Sequence, residues 1–213
     1  MTCEDSIRES KISTAREFSA RLGTRNLIFF GISGSVSYEP AAEDDVDIFL
    51  ITRAGKLWST VIRAILIRRL FGFDSICLSL CLDTVSADTL FNQSDDFIVA
   101  KDSLNVIPLY GKTYYENLLN GSLLIRKFFP ERFRPTGNNK QQENRSSPLE
   151  YLLYIPSSVF LLLKGLVHNH RYRARLSPDS CFETVLGFHR FYLDSAKYQK
   201  LRRMYSGTGD GNE

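Results

Sequence analysis

The amino-acid sequence predicts an α/β (α+β) fold in which helices flank a mixed sheet. Three apolar runs of strand length occupy residues 27–32, 46–52 and 75–82. A strongly periodic helical segment, residues 57–71, lies between the last two and keeps its apolar side chains on one face. Strands that alternate with helices are typical of a sheet that helices cover.

The remaining segments extend this order in both directions along the chain. Residues 7–22 carry apolar side chains at helical spacing and predict a helix that ends at Gly23. After the third strand, residues 94–106 and 114–128 predict two helices separated by a segment with proline and glycine. The predicted strands therefore all lie in the first half of the chain.

Local composition divides the chain into a core and a C-terminal part. Residues 1–130 hold the predicted strands and form the α/β core. Residues 131–148 are rich in Pro, Gly, Asn, Gln and Ser, which predicts an exposed linker or loop. Residues 149–205 have helical character and predict a helical C-terminal part. Residues 206–213 are polar and glycine-bearing, so we expect a disordered tail.

Overall composition places the chain among ordinary globular proteins. It has 213 residues, with 27 Lys and Arg against 24 Asp and Glu, which excludes a uniformly basic nucleic-acid coat. The four cysteines form no C-x-x-C pair, which favours the reducing cytoplasm. Residues 151–167 are the most apolar stretch, yet they fall short of the ~20 apolar residues of a spanning helix. We expect a buried helix or helix pair there and no membrane span.

One segment has a pattern typical of a chemical site. Gly34 and Ser35 follow the first predicted strand, and Asp45 and Asp47 open the second. Side chains alternate along a strand, so both aspartates project from the same face. Two carboxylates near a glycine-serine turn suit a divalent cation and a polyphosphate, because Mg²⁺ prefers carboxylate oxygens and retains phosphate ligands. The turn adds backbone N–H groups and the Ser35 hydroxyl, and Gly34 lets phosphates approach.

The spacing of Gly34-Ser35 and Asp45-Val46-Asp47 resembles the signature of nucleotidyltransferase domains of the DNA polymerase beta superfamily. Residues 56–58, 76–83 and 107–111 resemble segments of small prokaryotic nucleotidyltransferase-domain proteins. The resemblance implies a nucleotidyltransferase-like mixed sheet flanked by helices. It also implies an enzyme that uses Mg²⁺ or Mn²⁺ to move an NMP from an NTP, with ATP expected, to a hydroxyl or phosphate acceptor. Gly34 and Ser35 would hold phosphates, and Asp45 and Asp47 would be the catalytic, metal-holding residues.

A third carboxylate normally completes the two-metal site in that superfamily. The helical crossover before the third strand favours parallel pairing with the second strand, which would place Cys77 or Ser79 beside the aspartate pair. Asp83 shares their face but lies too far along the strand. The general base is therefore another residue or a partner's group, or it is absent. In the last case the chain is a catalytically inactive nucleotidyltransferase-like module that binds nucleotide, RNA or a protein partner.

Four further polar residues have simpler structural interpretations. Asp95 and Asp96 stand at a predicted helix start, where an acidic side chain caps the helix and interacts favourably with its dipole. His168 and His170 have no Cys or carboxylate at ligand spacing, which favours a surface pair over a metal site.

The C-terminal segment from residue 164 to residue 203 is basic, with nine Lys and Arg against three Asp and Glu, and aromatic residues interleave with the charges. This composition is typical either of a helical bundle with solvated basic side chains or of a surface that grips phosphates and stacks on bases. The acceptor accordingly stays open among RNA, protein and a small molecule.

Overall fold

The computed structural model describes residues 3–134, 147–173 and 181–206 and confirms the mixed α/β class. In this part of the chain a mixed sheet of six strands has the order β4-β1-β2-β3-β6-β5. The strands are β1 (Leu27–Ser33), β2 (Val46–Thr52), β3 (Ile76–Asp83), β4 (Ile107–Tyr110), β5 (Phe182–Gly187) and β6 (Arg190–Ser195). The helices are α1 (Cys3–Leu22), α2 (Ser35–Tyr38), α3 (Leu57–Leu70), α4 (Thr84–Gln93), α5 (Phe97–Asn105), α6 (Lys112–Asn120), α7 (Leu123–Phe128), α8 (Pro148–Arg173) and α9 (Ala196–Ser206).

The central strand pairing agrees with the sequence analysis. Strand β1 runs antiparallel to β2, and β2 runs parallel to β3 across the α3 crossover. The register places Asp47 opposite Cys77, as the predicted parallel pairing requires. The predictions for β1, β2, α3 and β3 are therefore confirmed.

Two apolar cores lie on opposite faces of the sheet. Strand β2 supplies both, because Ile48 and Leu50 point to one core while Phe49 and Ile51 point to the other. The first core is closed by α1, α3 and one face of α8, and the second by α4 to α7. Asp47 alternates with Ile48, so its side chain lies on the side of the second core.

The sequence analysis missed three strands. Strand β4 has only four residues and includes Pro108, but it pairs with β1 at the edge of the sheet, where a missing N–H is tolerated. The C-terminal part is helical at α8 and α9, yet a hairpin of β5 and β6 lies between them and pairs with β3. The prediction of helix over that hairpin is wrong, because pairing with a sheet overrides the helical character of short aromatic segments.

Helix α8 also departs from the prediction of a buried helix. It is continuous through Pro156, and within Pro148–His170 an 18-residue window has a mean hydropathy of 1.4, with 17% of that window buried. In the described part of the chain this is the one helix long and apolar enough to cross a membrane. Core helices of soluble proteins satisfy the same criteria of length and composition.

The predicted linker and tail lie mostly outside the described residues. A 3₁₀ turn at Pro130–Arg132 follows α7, and α8 begins at Pro148. Residues 135–146 of the linker and 207–213 of the tail are not among the residues that the structure describes.

Candidate active site

The turn after β1 brings Gly34 against the side chain of Asp47. Antiparallel pairing places Ser33 opposite Asp47, and Gly34 follows with φ of 68°. A Cβ atom on Gly34 would lie 2.2 Å from Asp47 Oδ2. Glycine is required here for two reasons: the left-handed backbone conformation and the space that the carboxylate occupies.

Asp45 and Asp47 line one cavity and differ in their exposure to solvent. Asp45 is exposed, whereas Asp47 is half-buried. Burial, and next the charge of Asp45, raises the pKa of Asp47 to about 7, although a hydrogen bond with Cys77 opposes this change. Among the described residues neither aspartate forms an ion pair with Lys, Arg or His. A bound cation would relieve the repulsion between the two carboxylates.

The neighbouring strand β3 offers a thiol and a hydroxyl beside the aspartate pair. Cys77 stands opposite Asp47, and burial followed by the charges of Asp47 and Asp45 raises its pKa to about 12. Ser79 Oγ lies 3.4 Å from Ser33 Oγ and donates to the carbonyl of Ile48 at 3.3 Å. A neutral thiol and a hydroxyl cannot serve as a third anionic ligand.

Asp83, the nearest later carboxylate of β3, has a structural role. Its side chain is fully buried and accepts the N–H groups of Val85 and Ser86, which caps α4. It also accepts the Gly55 N–H at 3.1 Å and lies 2.6 Å from His189 Nδ1. Asp83 does not line the cavity, in agreement with the expectation that it is out of reach.

Asp45 and Asp47 are the two carboxylates of the predicted metal site, and both line the cavity. Among the described residues, no group of three or more His, Cys, Asp and Glu side chains is arranged to hold a metal ion. Two carboxylates fit Mg²⁺, which is held by one or two carboxylates and keeps water or phosphate ligands. They do not fit structural zinc, which takes four protein ligands.

The cavity has a volume of about 830 Å³ and lies between the sheet and helices α4, α5 and α9. Pockets of about 300–1,000 Å³ are typical of small-molecule sites, so this one has room for a nucleotide. Gly34, Asp45 and Asp47 line it, whereas Ser35, the first residue of α2, is half-buried and does not. The sheet contributes an apolar floor that includes Phe49, Leu80, Leu82 and Tyr192.

A polar network that was not predicted from the sequence holds one wall of the cavity. Asp102 on α5 accepts hydrogen bonds from the hydroxyls of Tyr38 and Tyr198, and burial is the first cause that raises the pKa of both tyrosines. Arg202 on α9 forms ion pairs with Asp96 and with Asp194, the latter at 3.1 Å. These contacts tie α2, α5, β6 and α9 together around the cavity.

No local sequence signal marks this network, because Tyr198 and Asp102 are 96 residues apart. Sequence spacing identifies only groups that are close along the chain. The cavity wall is therefore a consequence of the fold, and only the fold reveals it.

The other predicted polar residues have structural roles. Asp96 caps α5 by accepting the N–H groups of Ile98 and Val99, and Asp95 pairs with Lys127. The ring of His168 packs 4.7 Å from that of Phe182 and lines the cavity.

Aromatic residues in the described part of the basic C-terminal segment mostly face inward. Phe188 stacks on Tyr151 at 4.2 Å, Phe191 is buried in the first core, and Tyr198 bonds Asp102. This arrangement favours a structural role for them over stacking on nucleic-acid bases.

The fold and the site together define a mixed α/β protein with a nucleotide-sized cavity that Asp45 and Asp47 line. Comparisons with family models, with curated proteins and with solved structures gave no match.

Proposed function

We propose that the chain is a metal-dependent nucleotidyltransferase that moves an NMP from an NTP to a hydroxyl or phosphate acceptor. The proposal rests on one contact: the Asp47 carboxylate occupies the space beside Gly34 at a cavity that Asp45 also lines. This contact brings the glycine turn and the carboxylate pair of the sequence pattern into a single site.

Each residue has a distinct role in the proposed reaction. Asp45 and Asp47 would hold Mg²⁺ or Mn²⁺, and Gly34 would lie against the phosphates of the NTP, with ATP expected. Ser35 does not line the cavity, so it would contribute only through its place in the same turn. The metal, when bound, supplies positive charge that neutralises the phosphates. The acceptor oxygen would form a bond to the α-phosphorus in line while the bond from that phosphorus to the pyrophosphate oxygen breaks. A hydroxyl acceptor would release its proton to water. The chain contributes chiefly position and electrostatics, which are the main components of catalysis in phosphoryl transfer.

The charge state of Asp47 supports a cation at this position. Its pKa of about 7 means that the cation-free carboxyl holds a proton for part of the time at neutral pH. A divalent cation would displace that proton, so its binding should strengthen as the pH rises from 6 to 8.

The first prediction concerns Asp47 itself. We expect Asp47→Asn to lower Mg²⁺-dependent transfer from α-labelled ATP by about 100-fold or more, because the amide removes one of two anionic metal ligands. The experiment measures two quantities. The first is the label transferred to the RNA, protein and small-molecule fractions of an extract that supplies acceptors, and the second is the pyrophosphate released. Asp88→Asn is the matched control, because Asp88 is exposed on α4 and bonds only its helical neighbour Asn92 among the contacts the structure describes.

Two results would contradict this assignment. Transfer by Asp47→Asn at the wild-type rate would exclude Asp47 as a metal ligand. An equal loss in Asp88→Asn would show that the effect is not specific to the site.

The residue beside the aspartate pair favours a second candidate function. Cys77, a thiol and not a carboxylate, stands opposite Asp47 on the neighbouring strand. Without a third carboxylate beside the pair, the chain would be a catalytically inactive module that binds nucleotide, RNA or a protein partner. Calorimetric binding of ATP with Mg²⁺, without release of pyrophosphate, supports this candidate. Reproducible turnover by the wild-type chain excludes it. Cys77→Asp sharpens the comparison, because pyrophosphate release that appears only in this variant identifies the missing carboxylate as the cause.

A further inference from the structure

The outer face of α8 is a continuous exposed apolar surface on the described part of the chain, and of its side chains Tyr151 also stacks on Phe188. It consists of ten exposed side chains: Leu149, Tyr151, Leu152, Ile155, Val159, Phe160, Leu162, Leu163, Leu166 and Val167. Leu152 is 70% exposed, and Ile155 and Leu166 are each 66% exposed. Isolated exposed apolar residues are common, but a continuous patch of this kind marks an interaction surface.

A regular stripe runs along the centre of this outer face. Leu152, Ile155, Val159, Leu162 and Leu166 follow one another at alternating intervals of three and four residues. That spacing is the repeat of helices that pack side by side with interdigitating side chains. The stripe therefore has the pattern that a partner helix recognises.

The opposite face of α8 is attached to the rest of the molecule. The buried carboxylate of Glu150 accepts the N–H groups of Trp58 and Ser59 at the start of α3. Leu161 is buried in the first core, and Gly165 lies so close to β5 that a Cβ would be 2.6 Å from Thr184 Oγ1. A membrane-spanning position would break these contacts, so α8 meets its partner while it remains on the sheet.

The segments outside the described residues are poorly suited to cover this face. Residues 1–2, 135–146, 174–180 and 207–213 contain only Met1 and Leu176 as large apolar side chains. Ten exposed apolar side chains need a partner that is itself apolar, which these segments are not.

The available area matches that of a protein interface. The ten side chains expose on the order of 1,000 Å², and each partner of a stable complex buries about 800 Å². Most soluble oligomers are homodimers with a two-fold axis, in which the same patch of both copies meets. An apolar stripe without alternating charges is self-complementary in this sense.

We propose that the outer face of α8 packs against the outer face of α8 in a second copy of this chain, around a two-fold axis. Lipid is the less suitable partner, because interfacial helices carry Lys and Arg on an exposed polar face. The face of α8 opposite the stripe is packed on α3 and β5, and Lys164 is the single charged residue from Tyr151 to Val167. This dimer is independent of the proposed enzymatic activity.

The experiment compares the mass of the protein in solution with that of charged variants. Sedimentation equilibrium at micromolar concentration should give the mass of a dimer for the wild-type chain. Ile155→Glu and Leu166→Glu should each raise the dimer Kd by about 100-fold or more, because a buried unpaired carboxylate is costly. Leu123→Glu is the matched control, since Leu123 is 52% exposed on α7 at the other core. It should remain a dimer.

Cross-linking provides a second measurement that does not depend on the charged variants being folded. Val159 lies at the centre of the stripe, so Val159→Cys should form a disulfide-linked dimer on mild oxidation beyond the level of the wild-type chain. Leu123→Cys should not.

Three outcomes would overturn the proposal. The first is a monomeric wild-type chain, and the second is a dimer that neither charged variant weakens. The third is a monomer that floats with vesicles of phosphatidylcholine and phosphatidylglycerol, which would assign the outer face of α8 to a lipid surface.

Discussion

The side chain of Asp47 has room only because its neighbour Gly34 has no side chain. Any Cβ on Gly34 would occupy the position of its carboxylate, so the residue pair specifies the site more strictly than the acidic pattern alone. This position disfavours the ionised form of Asp47, because burial and the Asp45 charge raise its pKa to about 7 from a usual 3.8. A group of this kind destabilises the cation-free fold when it ionises, and a cation offsets that cost.

This shift predicts a pH dependence of stability. Between about pH 4 and pH 7 the folded state holds the Asp47 proton more tightly than the unfolded chain, so unfolding free energy falls as the pH rises. Asp47→Asn removes this loss. In the absence of divalent cations we expect the variant to gain about 4 kcal/mol relative to wild type well above pH 7 and almost nothing below pH 4.

Urea unfolding at a series of pH values measures the difference, with Asp88→Asn as the control. Added Mg²⁺ should reduce the advantage of the variant, because only the wild-type carboxylate pair gains from the cation. A constant difference between wild type and Asp47→Asn at every pH would contradict the raised pKa of Asp47.

Among the helices and strands, the sequence predicted those whose local apolar pattern is enough to identify them. Strands β1, β2 and β3 are apolar runs bounded by turn residues, and α3 has a clear apolar face. Strand β4 and the hairpin of β5 and β6 are short, and β4 contains Pro108. Their conformation is decided by pairing with β1 and β3, which no window of sequence contains.

The start of α3 is a second feature that depends on a residue distant in the sequence. Its N-cap residue is Lys56, whose side chain caps no N–H group. The N–H groups of Trp58 and Ser59 instead donate to the carboxylate of Glu150 on α8. A carboxylate at a helix start also interacts favourably with the helix dipole. The cap thus joins two elements 92 residues apart.

This distant cap predicts a graded loss of stability. Glu150→Ala should lower the free energy of unfolding by about 2 kcal/mol, since it leaves two N–H groups at the helix start without their acceptor. Glu150→Gln keeps a carbonyl acceptor and should cost about half as much. Chemical denaturation of both variants measures the effect, with the exposed Glu116→Gln on α6 as the control. Equal losses for the alanine and glutamine variants would contradict the capping role.

Across the whole molecule, the site combines local and distant contributions. Gly34, Asp45 and Asp47 lie within one short segment, which is why the sequence indicated them. Asp102 lines the same cavity from α5, and Arg202 lines it because α9 packs beside β6 and α5. The segment from residue 149 onward therefore builds part of the sheet, part of the first core and part of the cavity wall.

Trp58 is a fluorescence probe that can show whether the described chain unfolds as one cooperative unit. It is the single tryptophan, it lies on α3, and it is fully buried. Its ring packs 5.0 Å from that of Tyr154 on α8, and its Nε1 donates to the carbonyl of Phe188 between β5 and β6 at 3.0 Å. Tryptophan fluorescence therefore reports on contact between the first half of the chain and the C-terminal part.

We expect the urea transitions followed by Trp58 fluorescence and by far-ultraviolet circular dichroism to coincide, because the C-terminal hairpin shares the first core with α1 and α3. Both are recorded at one protein concentration, since dissociation of the proposed dimer shifts unfolding with concentration. A fluorescence change at clearly lower urea than the loss of dichroism would show that the C-terminal part separates first. In that case residues 1–130 would hold their fold without β5 and β6, and the cavity wall formed by α9 would be a detachable element.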